Sequence, residues 1–416
     1  MKTKLFLLFL AVTAISLTGC KPGGTGGGTI DSGGGGDVPP KPSDTVVFNE
    51  EDSSAQETTL KALADRKSNT APGTLFRITG TAQWPKNTTY GNFDLLDDTG
   101  WIYVYGCSKN KSTISKGSTI TYSNDQSFSQ MNIKPGDTVT MEGIYVWYAY
   151  SKSYGVAEFQ GYVTSVTHNH QYTISAKNYT ATETYSGNYY SSINENATGN
   201  DLLKQLHNKM IATNNHSVSY NGLNSAFKES DPGSSSGTVK CFYSGESTKS
   251  FNREHVWPQS LSNNLYGETG AGCDLHHLRP AINSYNSLRS NGSFGPIFGS
   301  KGYGTINYVS GGACKYTTNT FEPADKIKGD VARIIMYTYM HYSSAITGSS
   351  EQYTGDLRIY FVMGPAEADS WKLLRKWSAE DPVDDYERNR NEVAFRKQGN
   401  RNPFIDHPSY ADKIWG

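Results

Sequence analysis

A tract near the start of the chain has too few apolar residues to fold, so the folded part of the chain must lie beyond it. Residues 21–44 consist largely of Gly, with Pro, Ser and Thr. Such a segment cannot bury enough apolar surface to offset the entropy lost on folding. We therefore expect a flexible linker over residues 21–44. The chain has 416 residues, 36% of them hydrophobic, which suffices for two domains with their own cores.

The residues ahead of this linker are typical of an export signal. Lys2 and Lys4 precede an apolar run from Leu5 to Ile15, which is too short to span a bilayer. The run leads into Leu-Thr-Gly-Cys, a tetrapeptide that resembles a bacterial lipobox. We expect a lipoprotein signal peptide over residues 1–20, lipidation of Cys20, and anchoring to the outer membrane, on its periplasmic or its outer side. A plain secretion signal that happens to contain a cysteine is the alternative.

Four further cysteines lie beyond the linker, and an exported compartment permits disulfides. Three full pairings are open to four thiols, and a single bridge among the last three is also compatible with the sequence. The spacing does not choose between these. The cysteines are Cys107, Cys241, Cys273 and Cys314.

Residues 45–172 are predicted to form an all-β domain. Alternating runs over residues 75–82, 93–106 and 137–146 are separated by Asp-Thr-Gly and Pro-Gly-Asp turns, a pattern of short paired strands. Their order resembles an oligonucleotide/oligosaccharide-binding (OB) barrel, which implies a binding module or a spacer. Exposed aromatic residues of such a barrel stack nucleic-acid bases, whereas some would instead fill the barrel. The candidates are Trp101, Tyr103, Tyr105, Trp147 and Tyr148.

Residues 173–416 are predicted to form a second domain of the α+β class. Leucines and other apolar residues recur at helical spacing over residues 199–211, 321–342 and 366–377, so a helix is expected in each range. Residues 398–408 contain many turn-forming residues, and an irregular segment is expected there.

Two segments of this second domain contain the residue types that phosphodiester hydrolysis needs. Asn252–Pro258 includes Glu254 and His255, and Asp274–Asn291 includes Asn286. Hydrolysis requires a base that deprotonates water and a cation that neutralises the charge growing on phosphorus. A neutral imidazole is a suitable base because its unperturbed pKa is about 6.5. Carboxylate and amide oxygens suit Mg²⁺, with Ca²⁺ or Mn²⁺ as other candidates.

The same segments resemble the bacterial endonuclease I family, whose nonspecific nucleases have a ββα-metal (His-Me finger) site. The likeness continues, in the family's order, through Phe321–Pro323, Lys328–Arg333 and Asp381–Pro408. It implies hydrolysis of DNA, and of RNA as a second candidate, leaving a 5′ phosphate. It also implies that His255 is the general base. Glu254 and Asn286 would hold the Mg²⁺ that stabilises the phosphorane and the leaving group.

Other polar residues of the second domain are assigned supporting roles. Arg289 is expected to stabilise the transition state. Substrate phosphates are expected to bind Arg253, Arg279, Arg388 and Arg401, although salt bridges are the alternative for such residues. Asp274, His276 and His277 are expected to orient the site. For the two histidines a buried structural role and a Zn²⁺ site shared with His255 remain open.

Net charge does not decide between the remaining functional classes. The formal net charge is -1, so a nucleic-acid surface must come from local basic residues. We expect a monomeric, lipid-anchored, Mg²⁺-dependent endonuclease. The alternative is a catalytically impaired surface lipoprotein that binds nucleic acid or glycan.

Overall fold

The computed structural model describes residues 44–68, 73–150, 155–169, 174, 179–261, 270–347 and 355–416. The expected signal peptide, Cys20 and all but the last residue of the expected linker lie outside these ranges. Within the described ranges, no helix has the length and hydrophobicity needed to cross a bilayer. Residues 44–168 are called the N-terminal region below, and residues 179–416 the C-terminal region.

The N-terminal region consists mainly of strands. The strands are β1 (Asp44–Val47), β2 (Gln56–Glu57), β3 (Phe76–Ala82), β4 (Asn92–Leu96), β5 (Trp101–Ser108), β6 (Ile114–Lys116), β7 (Ile120–Tyr122), β8 (Thr138–Ala149) and β9 (Gly155–His168), with helix α1 at Leu60–Ala64. The three predicted runs correspond to β3, to the β4–β5 hairpin and to β8, so those predictions are confirmed.

The order of strand pairing in this region begins and ends at β3. β3 pairs with β4, β4 with β5, β5 with β9, β9 with β8, and β8 again with β3. Only the β5–β9 pair among these is parallel. Alternate residues such as Phe93, Leu95 and Val104 enter one hydrophobic core, because successive side chains of a strand point to opposite faces.

The C-terminal region combines short strands with longer helices. Its strands are β10 (Val239–Lys240), β11 (Ser247–Thr248), β12 (Asn252–His255), β13 (Leu278–Ala281), β14 (Ser293–Phe294), β15 (Gly304–Asn307), β16 (Ala313–Tyr316) and β17 (Thr320–Glu322). Its helices are α2 (Gly199–Thr213), α3 (Leu223–Ser230), α4 (Asn283–Arg289), α5 (Lys328–Tyr342), α6 (Ser344–Thr347), α7 (Ile359–Val362), α8 (Glu367–Glu380), α9 (Asp385–Gln398), α10 (Pro403–Asp406) and α11 (Tyr410–Trp415). A second, larger hydrophobic core lies here, with most of α5 buried in it.

Two of the predicted helices, α2 and α8, are present, and a third is shorter than predicted. The range 321–342 was expected to be one helix, but Thr320–Glu322 is strand β17 and the helix begins at Lys328. Phe321 pairs with both β14 and β16, and Pro323 then separates strand from helix because proline lacks the N–H that a ladder or helix needs.

The segment 398–408 is more regular than predicted. It contains α10, which begins with Pro403 in the first turn, and the Asn402 side chain accepts a hydrogen bond from the Phe404 N–H. Turn-forming residues therefore serve here as the start of a helix, a position that favours proline and asparagine.

The four cysteines after residue 100 are all buried. Cys107, Cys241 and Cys314 carry thiols in this structure. Desolvation raises the pKa of Cys241 and of Cys314 to about 12, so neither sulfur is a thiolate near neutral pH.

The N-terminal and C-terminal regions pack against each other through the β3–β4 loop. The Trp84 indole donates a hydrogen bond to the Pro296 carbonyl (2.9 Å), and the Gln83 amide bonds both the N–H and the carbonyl of Phe298 (2.9 and 2.7 Å). Gly364 lies so close to Trp84 that an added Cβ would be 2.4 Å from the indole. Only a residue without a side chain allows this approach.

Candidate active site

Strands β12 and β13 and helix α4 bring the predicted catalytic segments together. β12 pairs antiparallel with β13, with Glu254 opposite Arg279 and His255 opposite Leu278. Helix α4 begins two residues after β13 and carries Asn286 and Arg289. Residues three apart on a helix lie on the same side, so both belong to the side that approaches β12. This strand–strand–helix order is the one expected from the resemblance to nucleases with a ββα-metal site.

A pocket of ≈ 660 Å³ lies beside this motif. Glu254 and His255 both border it, although neighbours along a strand normally face opposite ways. β12 ends at His255 and the chain bends at Val256 and Trp257, so the pocket surrounds the end of the strand. We call this the site pocket. Its lining residues are Tyr220, Arg253, Glu254, His255, Pro258, Gln259, Ser260, Asn286, Ser290 and Asn291.

Glu254 is a buried carboxylate held by two neighbours. The Tyr243 hydroxyl donates a hydrogen bond to its Oε1 (2.7 Å), and the Arg289 Nε lies 3.5 Å from the same oxygen. Desolvation raises the pKa of Glu254 to about 7, against the opposing effects of the Arg289 charge and the Tyr243 hydrogen bond. A divalent cation beside it would favour the charged carboxylate.

His255 is positioned as a neutral imidazole. Its ring is nearly parallel to that of Tyr220 (centroids 6.4 Å apart) and meets His277 edge-on at 5.8 Å. Its buried Nε2 has no hydrogen-bond partner within the described part of the chain. Desolvation, then the charges of His277 and Arg253, lower the pKa of His255 to about 3. The ring is therefore unprotonated at pH 7.

Arg253 places a positive charge on the wall of the site pocket. Its guanidinium lies 4.1 Å above the Tyr220 ring, and its Nη2 donates to the Asn221 Oδ1 (3.3 Å). Stacking on an aromatic ring fixes the plane of a guanidinium without neutralising its charge. This side chain is thus available to an anionic substrate.

Oxygen donors in the site pocket fit a hydrated divalent cation. Glu254 supplies a carboxylate and the half-buried Asn286 an amide, both at the pocket surface. The described ranges contain no cluster of three or more His, Cys, Asp or Glu side chains arranged for a metal. Mg²⁺ commonly retains several waters and takes only one or two protein oxygens, so two donors are compatible with it.

The histidine pair does not fit a Zn²⁺ site. His277 uses both ring nitrogens: Nδ1 bonds the Ala271 carbonyl (2.7 Å) and Nε2 accepts from the Trp257 N–H (3.0 Å). His276 Nε2 bonds the Asn400 carbonyl (3.1 Å). His277 therefore supports the wall behind His255, and His276 joins a separate network.

Asp274 is the centre of that separate network and lies outside the site pocket. It accepts hydrogen bonds from the Tyr337 and Tyr342 hydroxyls (2.6 Å each) and from the Gln398 amide (2.7 Å). Burial alone would raise the pKa of Asp274, but His276, His341 and the two hydroxyls lower it to about 2. The carboxylate therefore ties the loop before β13 to α5 and α9.

Of the predicted arginines, only Arg253 reaches the surface of the site pocket. Arg289 is fully buried, and its guanidinium donates to the carbonyls of Val256, Ser290 and Gly292. Arg279 is buried toward the carbonyls of Leu275 and Leu278. Arg401 pairs with Asp406 and Glu392, and Arg388 with Asp385. Arg289 thus contacts Glu254 from beneath the pocket. Arg279, Arg388 and Arg401 do not line the pocket.

Two tyrosines of the site could not be predicted from the sequence. Tyr243 lies just after β10 and Tyr220 just before α3, and neither belongs to the two motif segments. Their roles depend on contacts with Glu254, Arg253 and His255, which no local spacing indicates.

Comparisons with known proteins agree with this geometry. The family model described as Endonuclease I matches residues 176–409. The "Extracellular ribonuclease" of Bacillus subtilis is 36% identical over 236 residues, covering 53% of this chain and 76% of that protein. Its counterpart in Bacillus amyloliquefaciens is 35% identical over 233 residues, covering 52% and 75%. An "Extracellular deoxyribonuclease" of Aeromonas hydrophila is 28% identical over 138 residues, covering 32% and 49%.

The family match spans more than half of the chain, and the two Bacillus relatives are covered over about three quarters of their length. The site pocket lies within the matched residues. This chain is a member of the endonuclease I family.

Proposed function

We propose that this protein is an exported endonuclease that hydrolyses the phosphodiester bonds of DNA and RNA with the help of a divalent cation, Mg²⁺ in the first place. The observation that carries the proposal is the convergence of Glu254, His255, Asn286 and Arg253 on the site pocket. The names of the two Bacillus relatives, both extracellular ribonucleases, favour RNA as a substrate beside DNA.

The protein's own groups suggest how the reaction proceeds. His255 takes a proton from the attacking water, and the approach of an anionic phosphate raises the pKa of this imidazole from its low value. Arg253 binds a phosphate oxygen at the pocket wall and holds the phosphodiester bond that is to be cleaved in place for attack by water. Arg289 and Tyr243 act on Glu254, which they hold in one orientation. A Mg²⁺ ion on Glu254 and Asn286 would neutralise charge on the phosphorane and on the departing 3′ oxygen.

The other parts of the chain receive roles in export and binding. Residues 1–20 direct export and Cys20 receives a lipid, with residues 21–44 as the linker, 45–172 as one domain and 173–416 as the nuclease domain. The ring of pairings through β3, β4, β5, β9 and β8 supports an OB-type barrel for the first domain. Secretion is also consistent with the word "extracellular" in the relatives' names. We propose a monomer.

Digestion of supercoiled plasmid and of single-stranded RNA tests the function. The purified protein should cleave both with Mg²⁺ and neither with EDTA. His255→Ala should lower the rate by about a hundredfold or more, because general-base catalysis contributes on that scale, while the folded protein is retained. His407→Ala, on a half-buried histidine that pairs with Glu183, is the matched control. Absence of metal-dependent cleavage would favour a catalytically impaired binding protein.

A further inference from the structure

The outer face of the β4–β5 hairpin is only half covered by the C-terminal region. Asp94 on this face accepts hydrogen bonds from the Thr317 hydroxyl (2.7 Å) and from the N–H and side-chain amide of Asn319 (2.6 and 2.8 Å). The Trp101 indole donates to the Thr318 hydroxyl (3.1 Å). Further along the same face, Tyr105 remains 49% exposed.

The exposed half of this face reaches the site pocket through Lys86 of the β3–β4 loop. The Lys86 N–H bonds the Asn92 carbonyl (2.7 Å), and Asn92 is the cross-strand partner of Tyr105. At its other end, the Lys86 Nζ approaches the carbonyl of Asn291 (3.4 Å), a residue that lines the site pocket. Lys86, Asn92 and Tyr105 therefore lie side by side, and Lys86 is nearest the pocket.

Lys86 forms no salt bridge among the residues that the structure describes. The residue reaches solvent, although neighbouring groups displace part of the water around its ammonium, and the buried Asp94 carboxylate acts on it only from beyond salt-bridge distance. Desolvation, and then the nearby charge of Arg289, lower the pKa of Lys86 to about 8. An anion beside it would favour the charged ammonium and so offset these two effects. The loop itself is fixed, because Gln83 and Trp84 are bonded to the C-terminal region.

We infer that the nucleic-acid strand bound in the site pocket continues onto the N-terminal region, where Lys86 contacts a backbone phosphate and Tyr105 stacks on a base. The bound segment is single-stranded, because an aromatic ring can stack only on a base that is free of its partner strand. This inference rests on the proposed nuclease function and names a part of its substrate surface.

The dimensions and chemistry suit such a strand. Adjacent backbones in a sheet are about 4.8 Å apart. The step from Lys86 to Asn92 and the step from Asn92 to Tyr105 together place the Tyr105 backbone roughly 10 Å from the Lys86 backbone. Lysine contacts to phosphate supply affinity without sequence preference, and aromatic stacking tolerates every base. A nonspecific nuclease requires both properties. Lys86 and Tyr105 thus increase substrate affinity and leave the chemical step to the site pocket.

Binding of a 5′-fluorescein-labelled oligo(dT) to the full chain in EDTA tests this inference by fluorescence anisotropy over a series of salt concentrations. Lys86→Ala should weaken binding about three- to tenfold and reduce the slope of log Kd against log salt by about 0.7, the loss of one phosphate contact on a single strand. Lys86→Arg should restore both. Tyr105→Ala should weaken binding about fivefold or more, and Tyr105→Phe should not.

Lys116→Ala is the matched control, since it removes the same charge from the same region where the ammonium pairs with Asp52 (2.7 Å). Wild-type affinity and salt slope for Lys86→Ala, an equal loss for Lys116→Ala, or no binding by the wild type would each overturn the inference. Because EDTA prevents cleavage, the result is independent of catalysis. A protein that binds through Lys86 but does not cleave with Mg²⁺ would uphold this surface and refute the proposed function.

Discussion

Glu254 shows how strongly the surroundings of one residue determine the chemistry that is open to it. An exposed glutamate is ionised at neutral pH, whereas burial brings the pKa of Glu254 to about 7. Arg289 and the Tyr243 hydroxyl favour the charged form, so the carboxylate is balanced between its two states. Small changes at these partners should therefore change its ability to bind a cation.

Tyr243→Phe should weaken the binding of Mg²⁺ by about tenfold, the lower end of the effect seen when a partner of a metal ligand is lost. The variant keeps the ring and removes the 2.7 Å hydrogen bond to Glu254, which raises the pKa of Glu254 further. Initial cleavage rates measured against Mg²⁺ concentration at pH 7 give the half-saturating value. Tyr308→Phe, at another buried tyrosine, is the control. Superimposable curves for Tyr243→Phe and wild type would refute this role.

Some site residues could be predicted from the sequence and others could not. Glu254, His255 and Asn286 lie in two short segments whose residue types suit one reaction, and they border one pocket in the structure. Arg279 and Arg401 belong to similar polar segments, yet their side chains are buried against carbonyls and carboxylates. Residue type indicates charge, but the direction of a side chain depends on the packing of distant segments.

At the scale of elements, one buried carboxylate makes three of the hydrogen bonds that join the β4–β5 hairpin to the C-terminal region. Asp94 receives three hydrogen bonds from Thr317 and Asn319. Burial raises the pKa of Asp94, and these donors act in the opposite direction. Loss of the carboxylate would leave buried donors without partners, which costs more than the bonds themselves contribute.

Asp94→Ala should lower the free energy of unfolding by about 3 kcal/mol, since several buried donors lose their acceptor. Urea unfolding followed by tryptophan fluorescence measures the change. Asp98→Ala is the control in the same hairpin, because its ion pair with Lys301 is exposed and should contribute less than about 1 kcal/mol. Equal stability of Asp94→Ala and Asp98→Ala would show that the hydrogen bonds of Asp94 contribute little to the stability of the protein.

Local patterns predicted many of the elements but not how they join. Alternating residues indicated β3, β4, β5 and β8, and helical spacing indicated α2 and α8. The start of α5 was misplaced because the helix indicated by the apolar stripe from Ile327 onward was extended back to Phe321, whose backbone pairs with two strands. The contact of Asp94 with Asn319 links residues far apart in sequence, and no local period records such a contact.

At the scale of the whole molecule, several histidines are buried in their neutral form. His276 and His341 lie on either side of Tyr337, near Asp274, Asn214 and Asn400. Desolvation lowers the pKa of His276 to about 4 and that of His341 to about 3, although Asp274 opposes the shift. In the unfolded chain the pKa values of both histidines return to about 6.5.

Acidification should therefore weaken the contribution of His276 and His341 to stability between pH 6.5 and pH 4. In that window each of the two histidines binds more protons in the unfolded chain than in the folded one, so its contribution falls as pH falls. Glu254, whose pKa is raised by burial, acts in the opposite direction between pH 4.5 and pH 7. The loss is at most about 1.4 kcal/mol per histidine and pH unit. Urea unfolding at pH 7.5, 6 and 5 measures it. His276→Gln should have a shallower dependence than His216→Gln, at an exposed position. An equal pH dependence for His276→Gln and His216→Gln would contradict this account.

The measurement that tests the central claim most directly is the Mg²⁺ dependence of cleavage by Glu254→Gln and Asn286→Ala beside wild type. If both side chains hold the cation, each variant should require at least about tenfold more Mg²⁺ for half-maximal rate. His255→Ala should lose the rate itself at every Mg²⁺ concentration. Wild-type half-saturation in both ligand variants, with their turnover intact, would place the metal elsewhere and contradict the account.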